Sequence, residues 1–410
     1  MMGFHVHNLG CKVNRVESDT LIAELLSHGV DNVALDEATV VLINTCTVTA
    51  EADSKARKAV RKALAAAQSP QVIVTGCAAV IDPQMFAELG ANVRVIPDKQ
   101  AAAAAALALL VDSSLEVVPI RRTGAGFPTR MGIKIQDGCD NRCSYCIVST
   151  ARGPARSVPI TQILSQVQEA ESSGVREIVL TGINLGRFSD CGQDLTGLLK
   201  ILIESTTTMR FRLSSIEPPN VDSELAECIS SADGRICAHL HLPLQSGSDT
   251  VLARMGRSYD ISSFRDRVAA LRSSLPHLAL TTDVIVGFPG ETEEEFQQTL
   301  DFCKQIAFAK IHVFRYSVRK GTPAATMPDQ VAPTIKAERA QILRDLAADL
   351  RKSDAQNRIG TLEAVLVEAK GRATSDSYYT VKVPGGVPAG ELVKMQFVSY
   401  RDNLMEGTVL

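Results

Sequence analysis

The sequence predicts an α/β protein in three parts: an N-terminal domain built on a parallel sheet, a central (β/α)6 partial barrel and a small C-terminal all-β barrel. Strand-like runs alternate with amphipathic helices at the start of the chain, and the same alternation resumes over six further strands. The end of the chain changes to short strands with Gly/Pro turns. The predicted domains cover residues 1–118, 129–355 and 357–410, with a linker at 119–128.

The N-terminal domain is predicted from four strand-like runs and the helices between them. The runs are FHVHNL, VVLIN, QVIVT and VRVIP, which begin at residues 4, 40, 71 and 93. Helical patterns cover 15–28 and 51–67, and the alanine run 101–106 predicts a further helix. Such alternation implies a parallel sheet covered by helices. The following segment, PIRRTGAGFPT, is rich in Pro, Gly and Arg, as is typical of a linker.

The central domain is predicted from six strand candidates with helical patterns between them. They are MGIKIQD, EIVLTG, RFRLSS, CAHLHLP, ALTTDVIVGF and KIHVFRYS, which begin at residues 131, 177, 210, 237, 279 and 310. In barrels of this kind the chemistry lies at the C-terminal ends of the strands. A long helix at 333–357 leads to LEAVLVEA, YYTVKVPGG and ELVKMQFVSY, whose alternation predicts a barrel of about five strands.

Composition limits the possible function classes. The net charge of −3 means that any nucleic-acid binding must come from local basic patches. Neither an apolar run long enough to span a membrane nor a signal-peptide pattern is evident, so we expect a cytoplasmic protein without membrane association. Ten cysteines in a reducing compartment favour metal or redox chemistry over disulfides.

Three cysteines directly follow the first predicted barrel strand. In QDGCDNRCSYCIVSTARG, Cys139, Cys143 and Cys146 have the spacing C-x3-C-x2-C, and we call them the barrel triplet. Their polar neighbours speak against core cysteines, and a closed zinc site would need a fourth ligand. Three thiolates in a short loop suit a 4Fe-4S cluster with one iron left open for a substrate or cofactor.

A second set, the sheet triplet, consists of Cys11, Cys46 and Cys77. Each lies just past a predicted strand of the first domain, and the ends of parallel strands meet at one edge of a sheet. From the residues alone, a shared metal site and scattered core cysteines are equal alternatives. The remaining cysteines, Cys191, Cys228, Cys237 and Cys303, are interpreted as structural.

The barrel triplet in this context resembles the radical S-adenosylmethionine superfamily. There the open iron chelates the amino and carboxylate groups of the cofactor, which is cleaved to a 5′-deoxyadenosyl radical. NLGCKVN, VLINTCTVTAEADSK and VIVTGC resemble the three cluster-binding segments of methylthiotransferases. LTGINLG, LSSIEP, HLPLQSGSD and DVIVGFPGETEEEF match their radical domain in order, and GELVKMQFVSYRDNLMEGTVL is similar to the RNA-binding TRAM barrel.

The resemblance implies a specific reaction. The GCKVN form is similar to the branch that acts on N6-threonylcarbamoyladenosine in tRNA, whereas the isopentenyladenosine branch carries GCQMN and the ribosomal-protein branch GCPKN. The resemblance therefore implies 2-methylthiolation of that nucleoside next to the anticodon. It also implies two 4Fe-4S clusters, and the cluster on the sheet triplet would serve sulfur insertion. The implied partners are the tRNA anticodon stem-loop and an electron donor such as a flavodoxin or ferredoxin.

The chain departs from the family pattern at two places. Arg315, Val318 and Lys320 stand where prolines are usual, and Ser149-Thr150 stands where Pro-Tyr is common. These departures affect local geometry and substrate contacts.

Eight residues at predicted strand ends are candidates to hold S-adenosylmethionine. Small residues would let the backbone approach the methionyl group, polar side chains would bind ribose and amine, and Val286 with Gly287 would bracket the adenine. Ordinary turn chemistry is the alternative for each of them. The candidates are Thr181, Gly182, Ser214, Glu217, Gln245, Ser246, Val286 and Gly287.

Candidates for RNA binding are basic and aromatic residues. Those we predict to contact RNA are Arg121, Arg122, Arg152 and Tyr379, with Arg130, Arg156 and Tyr378 as further candidates of the same kind. The helix at 51–67 also carries a group of cations, either a phosphate track or a solvated face: Lys55, Arg57, Lys58, Arg61 and Lys62.

Two other functions compete with tRNA methylthiolation. One is the same reaction on a ribosomal-protein aspartate, against which GCKVN speaks. The other is a non-catalytic, metal-dependent RNA-binding module. Two cysteine triplets without a fourth ligand speak against that module.

Overall fold

A computed structural model describes residues 3–111, 129–369 and 371–410 of the chain. The predicted linker at 119–128, with Arg121 and Arg122, lies outside the described residues, and the domain boundaries stay predictions. Within the described ranges, no helix has the length and apolar character needed to cross a membrane.

The first part of the chain is a five-stranded parallel sheet in the order β2-β1-β3-β4-β5. Its strands are β1 Gly3–Asn8, β2 Asp31–Asn32, β3 Val40–Thr45, β4 Gln71–Gly76 and β5 Val93–Val95. Its helices are α1 Lys12–Ser27, α2 Ala50–Leu64, α3 Cys77–Ile81, α4 Pro83–Ala87 and α5 Lys99–Leu110. The fully buried β3 lies between two apolar clusters, one against α2 and one against α1 and α5. Helices therefore cover both faces of the sheet, as the βα alternation predicts.

The central part is a six-stranded partial barrel. Its strands are β6 Arg130–Lys134, β9 Glu177–Thr181, β10 Arg210–Leu213, β11 His239–His241, β12 Ala279–Val286 and β13 Lys310–Arg315. They form two three-stranded parallel sheets, which the bridges Phe211–Ile236 and Ser215–His241 join. A short antiparallel pair, β7 Gln136–Asp137 and β8 Arg156–Ser157, flanks the cysteine loop.

Helices surround this partial barrel. They are α6 Val148–Arg152, α7 Ile160–Ser172, α8 Leu195–Glu204, α9 Ser223–Ser231, α10 Asp249–Arg254, α11 Ile261–Ser274, α12 Glu293–Ile306 and α13 Pro333–Asn357. Their apolar faces pack with the strands into one large core. The N-terminal domain contacts both edges of the barrel: α1 packs on β6, and Asp53 of α2 pairs with Arg319 beyond β13.

The C-terminal part is a closed five-stranded barrel in the order β14-β15-β16-β18-β17. Its strands are β14 Leu362–Ala369, β15 Arg372–Ser375, β16 Thr380–Lys382, β17 Leu392–Arg401 and β18 Leu404–Val409. All three parts of the predicted fold class are therefore confirmed. Their relative placement was not predicted from the sequence.

Tyr379 belongs to the core of this small barrel, so the prediction that it stacks on RNA is wrong. Its side chain is fully buried, its hydroxyl donates to Asp354 Oδ2 at 2.7 Å, and the Arg351 guanidinium lies 3.2 Å from its ring centroid. The neighbouring Tyr378 is partly buried, with its ring 4.8 Å from that of His239 of the central barrel. These contacts join α13 and the central barrel to the C-terminal barrel.

Candidate functional site

The barrel triplet lies in a loop whose backbone is tightly constrained. Gly138 has φ +71°, and a β-carbon there would collide with the carbonyl of Pro154. The N–H groups of Asn141 and Val148 point to the sulfurs of Cys139 and Cys146 at 3.4 Å. The loop therefore presents two of its three sulfurs to backbone donors, the kind of contact that tunes a metal–thiolate site.

The third sulfur of the loop receives a side-chain donor. Nη1 of Arg257 lies 3.0 Å from Sγ of Cys143, and Nη2 of Arg257 pairs with Glu217. Burial, and then the neighbouring cysteines, raise the pKa of Cys146 to about 12. Burial also raises the pKa of Cys139, so a cation is needed to hold these sulfurs as thiolates, and the donor set fits an iron–sulfur cluster with one open position.

The structure also brings the sheet triplet together. Cys11 immediately precedes α1, Cys46 follows β3 and Cys77 opens α3, all at the carboxyl edge of the sheet. A β-carbon added at Gly10 would lie 3.0 Å from the sulfur of Cys46. Burial, together with the charges of Cys11 and Cys77, raises the pKa of Cys46 to about 11. Sheet topology therefore gathers cysteines that are far apart in the sequence.

One cleft lies beside Cys146 and the loop that follows Cys46, and we call it the central cleft. Val48 and Thr49, just after Cys46, line one side, while Tyr145, Cys146 and Gln245 line another. Its empty volume is about 650 Å³. The two triplets stay in fixed relation because α3, which begins at Cys77, packs against α6, which begins two residues after Cys146. A ligand in the central cleft therefore meets the barrel triplet and the loop that follows Cys46.

Three of the predicted cofactor residues have features that fit the binding of a ligand. Gln245 lines the central cleft and holds its backbone at φ +66°. The Ser214 hydroxyl is buried, with no hydrogen-bond partner among the described residues. Glu217 is connected to Cys143 through Arg257. An unpaired buried hydroxyl is costly unless a ligand satisfies it, so Ser214 fits a cofactor with polar groups.

The other five predicted residues take part in interactions that shape the strand ends. Thr181 donates to Ile133 O at 3.2 Å, and Ser246 Oγ lies 3.3 Å from Thr299 Oγ1. The Gly287 N–H donates to Glu291 Oε2 at 2.6 Å, and the carbonyl of the buried Val286 accepts from Tyr316 N at 2.9 Å. Gly182 packs against Gln136, where a β-carbon would lie 3.1 Å from that side chain. Because the Thr181 hydroxyl already donates its single proton, it could contact a cofactor only by accepting a hydrogen bond.

Two groups of residues near the cleft were missed by sequence reasoning. Arg257, which contacts Cys143, lies 114 residues beyond it, and no motif marks it. His241, Asp283 and His312 place their ligand atoms within 4.8 Å of one another on β11, β12 and β13, although burial and Lys310 lower the pKa of His312 to about 4. Asp283 and His312 are direct partners in the strand register, and His241 pairs with Thr281, two residues before Asp283.

The prediction that Arg152 contacts RNA is wrong, because its side chain is buried. It donates to Asn14 Oδ1 at 2.6 Å, Glu17 Oε1 at 2.9 Å and Asp137 Oδ1 at 2.9 Å.

Of the further candidates for RNA binding, Arg156 is largely exposed, while Arg130 pairs with Glu368 at 2.6 Å. On α2, four of the five cations are exposed: Lys55, Lys58, Arg61 and Lys62.

Comparisons with known proteins agree with this architecture. Residues 133–303 match the Radical SAM superfamily model, and residues 3–97 match the model described as Uncharacterized protein family UPF0004. A Thermotoga maritima protein, "Threonylcarbamoyladenosine tRNA methylthiotransferase MtaB", is 34% identical over 431 aligned residues, covering 100% of this chain and 99% of the relative. The Bacillus subtilis protein of the same name is 36% identical, covering 98% and 88%.

A solved structure supports the fold independently. The radical S-adenosylmethionine methyltransferase TsrM from Kitasatospora setae, with tryptophan and a cofactor analogue bound, superimposes with a TM-score of 0.57 at 14% identity. The match covers 79% of this chain and 75% of that one. At this identity the likeness concerns the fold alone.

Proposed function

Because the chain belongs to the radical S-adenosylmethionine methylthiotransferase family, we propose that it converts N6-threonylcarbamoyladenosine next to the anticodon of tRNA to its 2-methylthio derivative. The family assignment includes the enzyme class and the cofactors, two 4Fe-4S clusters and S-adenosylmethionine. The substrate is inferred from the names of the relatives and from the GCKVN segment. One observation carries the proposal: the central cleft is lined by Cys146 of the barrel triplet and by Val48 and Thr49, which closely follow Cys46 of the sheet triplet.

The residues present fit the two clusters. Cys139, Cys143 and Cys146 would hold one cluster, and Cys11, Cys46 and Cys77 the other, with an open iron in each. When bound, these groups and S-adenosylmethionine supply hydrogen-atom abstraction and sulfur insertion at the adenine C2–H, which no base removes at neutral pH.

The protein itself positions the reacting groups, neutralises their charge and excludes water from the site. Arg257 places a positive charge against Cys143 and orients Glu217. The half-buried Tyr145 and the buried Tyr316 close one wall of the central cleft, and the ring of Phe288 packs edge-on against both. Enclosure of this kind protects reactive species from side reactions.

A base-binding role fits the exposed residues at the mouth of the central cleft. Phe314 lines the cleft and leaves 38% of its surface exposed, which suits stacking on a purine. The next residue, Arg315, also lines the cleft, and its guanidinium makes no hydrogen bond or ion pair in the part of the chain that the structure describes, although its charge helps to lower the pKa of Glu51. Its guanidinium would bind the carboxylate of the threonylcarbamoyl group. Since prolines are usual there in the family, this contact would be particular to this chain.

The tRNA backbone would follow α2. This helix starts at the cleft, where Ala50 N donates to Ser317 Oγ at 3.0 Å, and carries the exposed Lys55, Lys58, Arg61 and Lys62. Lys55 already pairs with Glu51 at 2.8 Å, so the other three are the stronger candidates for phosphate contacts. The electron donor, a flavodoxin or ferredoxin, stays a prediction.

Nucleoside analysis tests the proposal directly. Cells that lack the gene should accumulate N6-threonylcarbamoyladenosine without its 2-methylthio form, and the wild-type chain should restore that form. A methylthiolated ribosomal aspartate with unchanged tRNA nucleosides would support the ribosomal-protein reaction instead. Zinc without sulfide in anaerobically purified protein would support the non-catalytic binding module.

A further inference from the structure

Arg152 and Asn14 join the two halves of the proposed active site. We propose that they form a latch that sets the position of the sheet triplet relative to the barrel triplet, and so couples sulfur insertion to hydrogen abstraction. This inference rests on the proposed function. It assigns positioning roles to residues that lie outside both cysteine sets.

The barrel side of the latch is Arg152. It is the last residue of α6, the helix that begins two residues after Cys146, and it is only 8% exposed. Its Nη1 donates to Asp137, which precedes the cysteine loop, at 2.9 Å. Arg152 is therefore anchored on both sides of the barrel triplet.

The sheet side of the latch is Asn14, which is fully buried in the first turn of α1. Its Nδ2 donates to the carbonyls of Leu9 at 2.9 Å and Thr45 at 2.8 Å. These carbonyls lie two residues before Cys11 and one residue before Cys46. The Oδ1 of Asn14 accepts from Arg152 Nη2 at 2.6 Å, and Sγ of Cys11 lies 3.6 Å from it. One amide thus connects two segments of the sheet triplet to Arg152.

Ion pairs centred on Glu17 add to the contacts of the latch. Glu17, one turn after Asn14 on α1, accepts from both terminal nitrogens of Arg152, at 2.9 and 3.1 Å. Lys134 of the barrel lies 2.9 Å from Glu17, and Lys99 of the sheet domain lies 3.1 Å from it. A buried guanidinium with this many partners has essentially one geometry. The latch therefore holds the two domains together and also defines the distance and orientation of the sheet triplet relative to the barrel triplet.

The consequence differs between the two half-reactions. Cleavage of S-adenosylmethionine needs the barrel triplet, which the barrel alone supplies. Sulfur insertion needs the sheet triplet at the same substrate atom. A misplacement of about 1 Å between reacting groups can lower a rate by about a hundredfold. Loosening the latch should therefore lower product formation far more than cofactor cleavage.

Arg152→Met, Arg152→Lys and Asn14→Ala in the cluster-loaded enzyme test this inference. We expect 5′-deoxyadenosine formation to stay within about twofold of wild type, while methylthiolated product per 5′-deoxyadenosine falls by about a hundredfold for Arg152→Met. Arg152→Lys should lower that ratio less than Arg152→Met does, because lysine keeps the positive charge but cannot bind Glu17 through two nitrogens. The magnetic coupling between the two reduced clusters, measured by pulsed electron paramagnetic resonance, should weaken or broaden in Arg152→Met and Asn14→Ala.

Arg210→Met is the matched control. Arg210 is also a buried arginine in an interdomain ion-pair network, but it faces the C-terminal barrel and contacts neither triplet. It should lower thermal stability and leave both the product ratio and the cluster coupling unchanged. If Arg152→Met does not fold, Asn14→Ala with Glu17→Gln carries the test.

Three outcomes separate the possibilities. An unchanged product ratio and unchanged cluster coupling in the latch variants would overturn the latch, and so would an equal fall of both activities with unchanged coupling, which marks a purely structural role. A wild-type enzyme that carries both clusters and cleaves S-adenosylmethionine, yet makes no methylthiolated tRNA, would instead overturn the proposed function.

Discussion

Glu177 accepts a hydrogen bond from Nε of Arg212 at 2.8 Å, in a position where neither side chain is exposed. Arg212 also donates to the carbonyls of Ser375 at 2.9 Å and Asp376 at 2.8 Å. This pair therefore links two neighbouring barrel strands, β9 and β10, to the C-terminal barrel. Breaking a buried pair leaves an uncompensated charge, which costs several kcal/mol.

The Glu177 pair predicts a specific dependence of stability on pH. Burial alone would raise the pKa of Glu177, but Arg212 and Arg210 outweigh it and lower the pKa from 4.5 to about 2. Because the folded-state pKa is lower than the unfolded one, the stabilisation is complete above about pH 4.5 and is lost as the pH falls towards 2. Glu177→Gln should lower the free energy of unfolding at pH 7 by about 3–5 kcal/mol and flatten its decline between pH 4.5 and 2. Denaturant titrations measure both, with the exposed Glu391→Gln as control, and an undiminished acid slope would contradict the assignment.

Tyr379→Ala should destabilise the C-terminal barrel without a direct effect on RNA contacts. The ring fills the core of that barrel and its hydroxyl bonds to Asp354, so its removal should cost about 3–5 kcal/mol. Thermal unfolding measures this loss. At a temperature where the variant is fully folded, its tRNA affinity should equal that of wild type. A weaker affinity there would show that the ring reaches RNA after all.

Replacing the whole barrel triplet, Cys139, Cys143 and Cys146, with Ala should remove about half of the iron and abolish cofactor cleavage, because no thiolate remains for that cluster. Iron and sulfide analysis of anaerobically purified protein, together with a 5′-deoxyadenosine assay, checks this. Cys303→Ala is the control, since that buried cysteine lies in the barrel core. Unchanged iron in the triple variant would refute the assignment.

Replacing the sheet triplet, Cys11, Cys46 and Cys77, with Ala should produce a different defect. The barrel triplet remains intact, so the variant should still form 5′-deoxyadenosine but no methylthiolated nucleoside. Chromatography of both products from one reaction measures this. Complete loss of cofactor cleavage in a correctly folded variant would contradict the division of labour between the triplets.

Arg315→Gln should selectively weaken binding of the carboxylate-bearing substrate. A hydrogen bond to a charged group contributes about 1.5–3 kcal/mol, so affinity should fall by roughly tenfold to a hundredfold. Anticodon stem-loops with either the threonyl carboxylate or its neutral amide separate this effect from general RNA binding. The difference between the two RNAs should vanish in Arg315→Gln and persist in Arg265→Gln, an exposed surface control. Equal weakening for both RNAs would assign Arg315 to the phosphate backbone.

The sequence by itself determined most of the elements and the position of the cysteines on them, while the two-residue edge strand β2 was not predicted. Apolar periodicity predicts the parallel sheet and the six barrel strands, because each strand or helix shows in its own residues which face is buried. The predicted helix at 333–357 matches α13 in full. The spacing of Cys139, Cys143 and Cys146 is likewise local information. The convergence of Cys11, Cys46 and Cys77 needed one topological rule in addition, that parallel strands end at a common edge.

Only the tertiary structure decided which charged and aromatic side chains are enclosed. Arg152 has the chemistry of an RNA contact, yet Glu17, 135 residues away, and Asn14 take up its guanidinium. Tyr379 likewise has the chemistry of a base platform, yet it is buried in the C-terminal barrel and bonds to Asp354 of α13. A polar or aromatic side chain keeps the same chemistry in solvent and in an interface. Which of the two it meets depends on partners that approach only when separate domains pack together.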